Sequence, residues 1–169
     1  MPQTAEDLIL DKRAITSFRK KCRENSKKVV LAQGVFDILH PGHLKFLEKS
    51  RECGDELIVG INHDTYARTK GDNRPIQNEH DRAYLIAGFK CVSCVHIFSN
   101  DMDLIRLIEP DIFIMSTTAS KTVEARSDLQ QAVIELGGKI IVFDAFSATH
   151  STQMIENIAK GKIFYEQIK

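Results

Sequence analysis

From residue 5 to residue 25 the chain is mostly polar, with apolar positions at Leu8, Ile9, Ile15 and Phe18. That spacing predicts one or two amphipathic helices that pack on the domain or on a partner subunit. Beyond Lys27-Lys28 the pattern changes, and short apolar runs rich in Val and Ile alternate with amphipathic stretches. The runs predict strands over 29–32, 56–62, 92–98, 112–115 and 139–143. The stretches between them predict helices near 42–52, 78–88, 101–108 and 122–136, with a last one opening near Ser151. Gly137-Gly138 reads as the stop before the final strand. Short continuous apolar strands separated by helices bury both faces, which is the signature of a parallel sheet. The expected fold is therefore α/β, a Rossmann-like, doubly wound, parallel five-stranded sheet with helices on both faces. Residues 1–26 form a helical lead-in and 27–169 the domain. Any ligand should sit at the carboxyl ends of the strands.

Length and charge narrow the classes of partner. The 169 residues fit one domain large enough to need no disulfide or structural metal. Lysine plus arginine and aspartate plus glutamate number 23 each, so the net charge is zero. This disfavours a globally basic nucleic-acid binder. No apolar run approaches the ~18 residues of a membrane span, and the acidic first residues do not read as a secretory signal. Four irregularly spaced cysteines, Cys22, Cys53, Cys91 and Cys94, read as free thiols in a reducing cytoplasm. The Cys91-x-x-Cys94 spacing lacks a second pair and is read as structural. His63, His80 and His96 are read as surface or satisfied groups.

The segment after the first strand carries the chemistry: Gln33-Gly34-Val35-Phe36-Asp37-Ile38-Leu39-His40-Pro41-Gly42-His43. Gly34 admits close approach of the backbone to a ligand. Pro41 suits the first turn of a helix, where its missing N–H costs nothing. His40 and His43 then stand three apart at the helix start, beside unsatisfied backbone N–H groups, an arrangement that binds phosphate. Lys70 and Arg74 lie in the polar loop Thr69-Lys70-Gly71-Asp72-Asn73-Arg74-Pro75, where a cation can reach a phosphate. Without further context, that loop is a solvated turn.

His40-Pro41-Gly42-His43 within Gly-Val-Phe-Asp-x-x-His-x-Gly-His resembles the signature of the cytidylyltransferase-like nucleotidyltransferases. The likeness runs through Gly54–Gly60, the Lys70–Ile76 loop, Arg82, Pro110-Asp111 and the Ser151-Thr152 pair. Within the family it is most similar to heptose-1-phosphate adenylyltransferase domains, and next to glycerol-3-phosphate cytidylyltransferases. The resemblance implies that an acceptor phosphate oxygen attacks the α-phosphorus of a nucleoside triphosphate and pyrophosphate leaves. It implies His40, His43 and Lys70 as catalytic residues. Gly34, Val35, Phe36, Asp37, His40, His43, Ser151 and Thr152 are implied at the nucleotide. Lys70, Arg74, Arg82, Thr118 and Lys121 are implied at the acceptor. Asp37 reads nearly as well as a helix cap, and Arg82 equally well as a surface ion pair. Mg²⁺ would come with the triphosphate, no protein-held metal is expected, and a homodimer is implied.

One stretch departs from the family pattern. Where heptose-type relatives carry Lys-Gly-Gly-Asp, this chain has Met115-Ser116-Thr117-Thr118-Ala119. Lys121 and Arg126 follow just downstream. The departure leaves the acceptor open and admits three alternatives: a polyol-phosphate cytidylyltransferase, a cofactor-precursor adenylyltransferase, or a catalytically silent nucleotide-binding protein.

Overall fold

The computed structural model describes residues 3–70, 74–117, 127–144 and 155, with Lys70 described by its backbone. Strands β1 (Val29–Gly34), β2 (Glu56–Asn62), β3 (Cys94–Phe98), β4 (Ile112–Ser116) and β5 (Lys139–Phe143) form one sheet. Its order is β3-β2-β1-β4-β5 and every pairing is parallel. The helices are α1 (Lys12–Glu24), α2 (Pro41–Arg51), the short α3 (Asp64–Ala67), α4 (Glu79–Ala87), α5 (Asp101–Ile108) and α6 (Ser127–Glu135). Single 3-10 turns lie at Glu6–Leu8 and Arg68–Lys70. The Rossmann-like expectation is met, and strand order reverses between β1 and β4, the switch point where such sheets bind ligands.

β1 shows why parallel strands read as unbroken apolar runs. Val29 and Leu31 enter a core shared with α1, α5 and α6, while Val30 and Ala32 enter a second core shared with α2 and α4. All four are fully buried. Two boundaries differ from expectation. The third strand starts at Cys94 rather than residue 92: Val92 N still donates back to Phe89 O at 3.0 Å in a turn. Ser93 joins β2 partly by side chain, its N donating to Leu57 O at 2.9 Å while its Oγ accepts from Leu57 N at 3.0 Å and donates to Glu56 at 2.6 Å. The expected helix over 122–136 is seen as Ser127–Glu135, its first residues lying outside the described ones. Gly137, at φ 82, ends it in the left-handed region, and the N–H groups of Gly137 and Gly138 satisfy carbonyls of its last turn.

The lead-in is not one apolar stripe. Ile15 and Phe18 of α1 face the first core, whereas Leu8 and Ile9 pack on the second. The chain crosses between the two faces at the open edge of β3. There Ile9 pairs in parallel with Val95, and Leu10 N donates to Val95 O at 2.8 Å. Residues 5–24 therefore wrap an edge strand whose backbone groups would otherwise lack partners.

At the amino-terminal edge of the sheet, Arg19 of α1 is 5% exposed. It donates to the Ile108 and Glu109 carbonyls at the end of α5, at 2.9 and 2.8 Å, and pairs with Asp111 at 3.1 Å. Asp111 in turn accepts from Val29 N at 2.7 Å. The Pro110-Asp111 element of the family resemblance is thus a joint between β1, β4 and α5, at the end of the sheet opposite to the histidines.

Candidate functional site

The turn from β1 to α2 builds the site. Gly34 closes the strand, and a Cβ there would lie 3.0 Å from the ring of Phe36, so the space glycine leaves is filled by that buried side chain. Phe36 and Ile38 adopt φ of 52° and 47°, which is costly for an aromatic and more so for a β-branched residue. Such strain persists only where the surroundings fix it, and it concentrates at binding sites.

His40 is the N-cap of α2, with Pro41 at the first helical position. Gly42 N donates to His40 Nδ1 at 3.2 Å, and His40 N donates to His43 Nδ1 at 3.4 Å, a capping box made by two histidines. A ring nitrogen that accepts from an amide carries no proton, so these bonds assign both neutral rings the Nε2–H tautomer. The rings stack with centroids 3.9 Å apart, and Phe36 meets His43 edge-on at 5.4 Å. Two N–H donors are thereby orientated side by side at the positive end of a helix dipole. The capping role read for Asp37 belongs to His40.

Asp37 turns elsewhere. Its carboxylate is 3% exposed. It accepts from the Arg74 guanidinium at 2.8 Å, from Ile76 N at 3.0 Å and from Gln77 N at 3.1 Å. Burial alone would raise its pKa, but these three donors outweigh burial and hold the carboxyl below its ordinary range. Arg74 is itself mostly covered, its side chain 13% exposed.

Arg82 is fully buried, so the reading as a surface ion pair does not describe it. Its Nε donates to Gln77 O at 2.9 Å, Nη1 to Val35 O at 2.5 Å, and Nη2 to Asn62 O at 2.9 Å and Asp64 at 2.6 Å. One guanidinium thus joins the turn after β1, the end of β2 and the segment 74–77. The supporting carboxylates were not legible in the sequence. Glu79 accepts from Asp64 N at 2.7 Å and meets His63 Nε2 at 3.1 Å, locking the start of α3 against α4. The nearest signal was Asn78 with Asp81, a capping pair that the structure uses to open α4.

The other candidates are spread along the same end of the sheet or fall outside the described residues. The backbone of Lys70 closes the 3-10 turn after α3. Thr118, Lys121, Ser151 and Thr152 lie outside the described residues, as does nearly all of the helix expected from Ser151. At the tip of β4, Thr117 N donates to Phe143 O at 3.0 Å, which brings the carboxyl ends of β4 and β5 together. His63 and His96 are bonded groups, the latter to Leu10 O at 2.7 Å, and His80 is exposed. Cys91 and Cys94 are free thiols.

A parallel sheet whose switch point carries a histidine-capped helix defines a nucleotide-handling α/β domain of the nucleotidyltransferase type. The cytidylyltransferase-like family model matches residues 31–161, and the chain belongs to that family. It is similar to the bifunctional protein HldE of Nitratiruptor sp., 45% identical over 112 residues that cover 64% of this chain and 24% of that protein. The HldE protein of Helicobacter hepaticus is 34% identical over 167 residues, 96% of this chain and 33% of that one. The chain thus spans about a quarter to a third of the length of these relatives. Among solved structures, the lipopolysaccharide core biosynthesis protein of Thermoplasma volcanium matches at 32% identity and a TM-score of 0.61, covering 73% of this chain and 99% of that one. Pantoate-beta-alanine ligase from Francisella tularensis, at 16% identity and a TM-score of 0.65 over 90% of this chain and 77% of that one, shares the fold.

Proposed function

We propose that this domain transfers a nucleoside monophosphate from a nucleoside triphosphate, ATP first and CTP second, to a sugar phosphate of the heptose 1-phosphate kind. The acceptor phosphate oxygen forms a bond to the α-phosphorus, the bond from that phosphorus to the bridging oxygen breaks, and pyrophosphate leaves. The observation that carries this reading is the histidine pair, two Nε2–H donors fixed side by side at a helix start on the switch point of the sheet. Charge builds on the phosphoryl oxygens as the α-phosphorus becomes pentacoordinate, and donors already in place stabilise it without reorganisation. The resemblance to heptose-1-phosphate adenylyltransferases, and the similarity to HldE and to a lipopolysaccharide core biosynthesis protein, support the acceptor class.

In this reading Gly34, Val35, Phe36, His40 and His43 surround the triphosphate, and Ser151 and Thr152 meet its β- and γ-phosphates. Lys70 and Arg74 supply charge at the acceptor phosphate, with Thr118 and Lys121 beside it. Arg82 acts from beneath, through the loops it joins. Among the described residues no group of three His, Cys, Asp or Glu side chains is placed to hold a metal. In this reading Mg²⁺ enters as part of the nucleotide substrate. The four free thiols suit a reducing cytoplasm. No described helix is long and apolar enough to cross a membrane, and the reading takes small molecules rather than nucleic acid as partners. It extends to a homodimer, which sedimentation at micromolar concentration tests directly: a clean monomer refutes it.

The hydroxylated run at the tip of β4, in place of lysine and carboxylate, favours a second reading in which the acceptor differs or transfer is lost. One assay separates these. Pyrophosphate release is measured with Mg²⁺ and each of the four nucleoside triphosphates, against heptose, hexose and pentose 1-phosphates, glycerol 3-phosphate and flavin mononucleotide. Release that requires ATP and a heptose 1-phosphate is the expected result. No release, with a triphosphate still raising the melting temperature, points to a binding protein or an untested acceptor. Neither release nor a thermal shift ends the nucleotide reading.

A further inference from the structure

Two strained residues, Phe36 and Ile38, flank Asp37 in the turn that carries the histidines. Between them, the Asp37 carboxylate is sequestered from solvent and bonded to the segment 74–77. Its donors include the Arg74 guanidinium and the backbone amides of Ile76 and Gln77, all from one short segment. Arg82 grips the same two pieces from the other side, through Val35 O and Gln77 O. The segment 74–77 is thereby bolted to the histidine turn at both its amide and its carbonyl side. A carboxylate used in this way has little capacity left for a nucleotide phosphate, which it would in any case repel.

We infer that Asp37 is a positioning residue rather than a nucleotide contact: its carboxylate ties the Arg74–Gln77 segment to the histidine-bearing turn, and so sets where Arg74 stands relative to the histidines. The inference deepens the proposed transfer and rests on it for the role of Arg74. The physical reason is register. A histidine pair fixed on α2 and a cation carried by a separate loop act on one phosphoryl group only if their separation is held, and a misplacement of about 1 Å can cost roughly 10²-fold.

The test compares Asp37→Asn, Arg74→Ala and the double variant with the unaltered chain. Asparagine keeps the shape and one acceptor oxygen but puts an amide donor either against Arg74 and Ile76 N or against Gln77 N. Expected is a fall in kcat of about 10- to 100-fold for Asp37→Asn, with little change in KM for the triphosphate. The double variant should be no slower than Arg74→Ala alone, because Asp37 acts through that residue. Losses that multiply, or a rise confined to the triphosphate KM, would return Asp37 to the nucleotide and overturn the inference. Amide hydrogen exchange supplies a readout independent of turnover. Asp37→Asn should speed exchange at Ile76 and Gln77 by at least about tenfold while Leu31 and Val59 in the strands stay protected. Unchanged exchange at Ile76 and Gln77 also overturns it. If the unaltered chain transfers nothing to any acceptor, the proposed function fails by itself, and exchange alone decides whether Asp37 holds the segment.

Discussion

Two buried arginines sit at opposite ends of one sheet and have been put to different uses. Arg19, at the amino-terminal edge, bonds two carbonyls at the end of α5 and the carboxylate of Asp111. Arg82, at the carboxyl-terminal edge, bonds three carbonyls and the carboxylate of Asp64. In both cases a guanidinium satisfies chain ends that helices and strands leave unpaired, and a carboxylate balances its charge. The surroundings differ. What Arg19 joins is the last turn of α5, its left-handed C-cap Glu109 at φ 45° and Asp111 in the short connection to β4. What Arg82 joins is the strained turn of Phe36 and Ile38, the end of β2 and the loop after Lys70. The chemistry of anchoring is the same at both ends, and each guanidinium holds backbone in the left-handed region, Glu109 at one end and the Phe36–Ile38 turn at the other. Only the carboxyl-terminal end carries the histidine turn.

The comparison breaks most visibly at Arg82. Replacing it with methionine removes the donor bonds to Asp64 and to the carbonyls of Val35, Asn62 and Gln77. The expected loss is about 3–5 kcal/mol in urea unfolding, with turnover lowered at least tenfold even under conditions where the variant stays folded. His43→Ala reverses that division. Pyrophosphate release should fall by about 10²–10³, while unfolding changes by no more than about 1 kcal/mol for the weakened cap. Unchanged turnover in the folded variant removes the histidines from the mechanism. Arg19→Met should cost about 2–3 kcal/mol yet leave the turnover of folded protein intact. An equal loss of activity there would mean that the two ends are coupled and the contrast is false.

Acid sharpens the contrast further. The Asp37 carboxyl is held below its ordinary range, so its contribution is fully present above the unfolded value of about 3.9 and is lost as pH falls through the folded one. The stability difference between the unaltered chain and Asp37→Asn, followed by urea midpoints from pH 6 to pH 3, should therefore be constant at first and shrink only below about pH 4. The smallest effect belongs to Cys94. Burial pushes its thiol up to about 12, so a thiol reagent at pH 8 should leave it unmodified until the chain unfolds.

Much of this could be read along the chain because its causes are local. Proline after a capping residue, glycine at a strand end and Val-rich runs of fixed length act over a few residues, so β1, β2, β5 and the start of α2 fell within a residue or two of expectation. The histidine pair was visible for the same reason, since three residues at a helix start place two side chains together whatever the rest of the fold does. Asp37 was harder, as its partners are 37 to 40 positions away. A carboxylate three residues before a helix looks like a cap until the loop that claims it is in place. Arg82 misled in the opposite direction. An arginine on an amphipathic helix reads as exposed, and only the packing of three separate segments over it makes a fully buried guanidinium tolerable.

The lead-in shows the same division. Its apolar positions were legible, but not that they face two cores, because the turn of the chain around β3 exists only once β3 is an edge. The sequence by itself determined the elements, the parallel sheet they make and the histidine-capped helix, all set by periodicity, propensity and capping within short windows. Tertiary structure decided which charged side chains would be buried, which carbonyls and amides they would serve, and which loops would thereby be fixed beside the histidines. Desolvating a charge is favourable only when several donors or acceptors converge on it, and convergence from distant parts of a chain is a property of the fold.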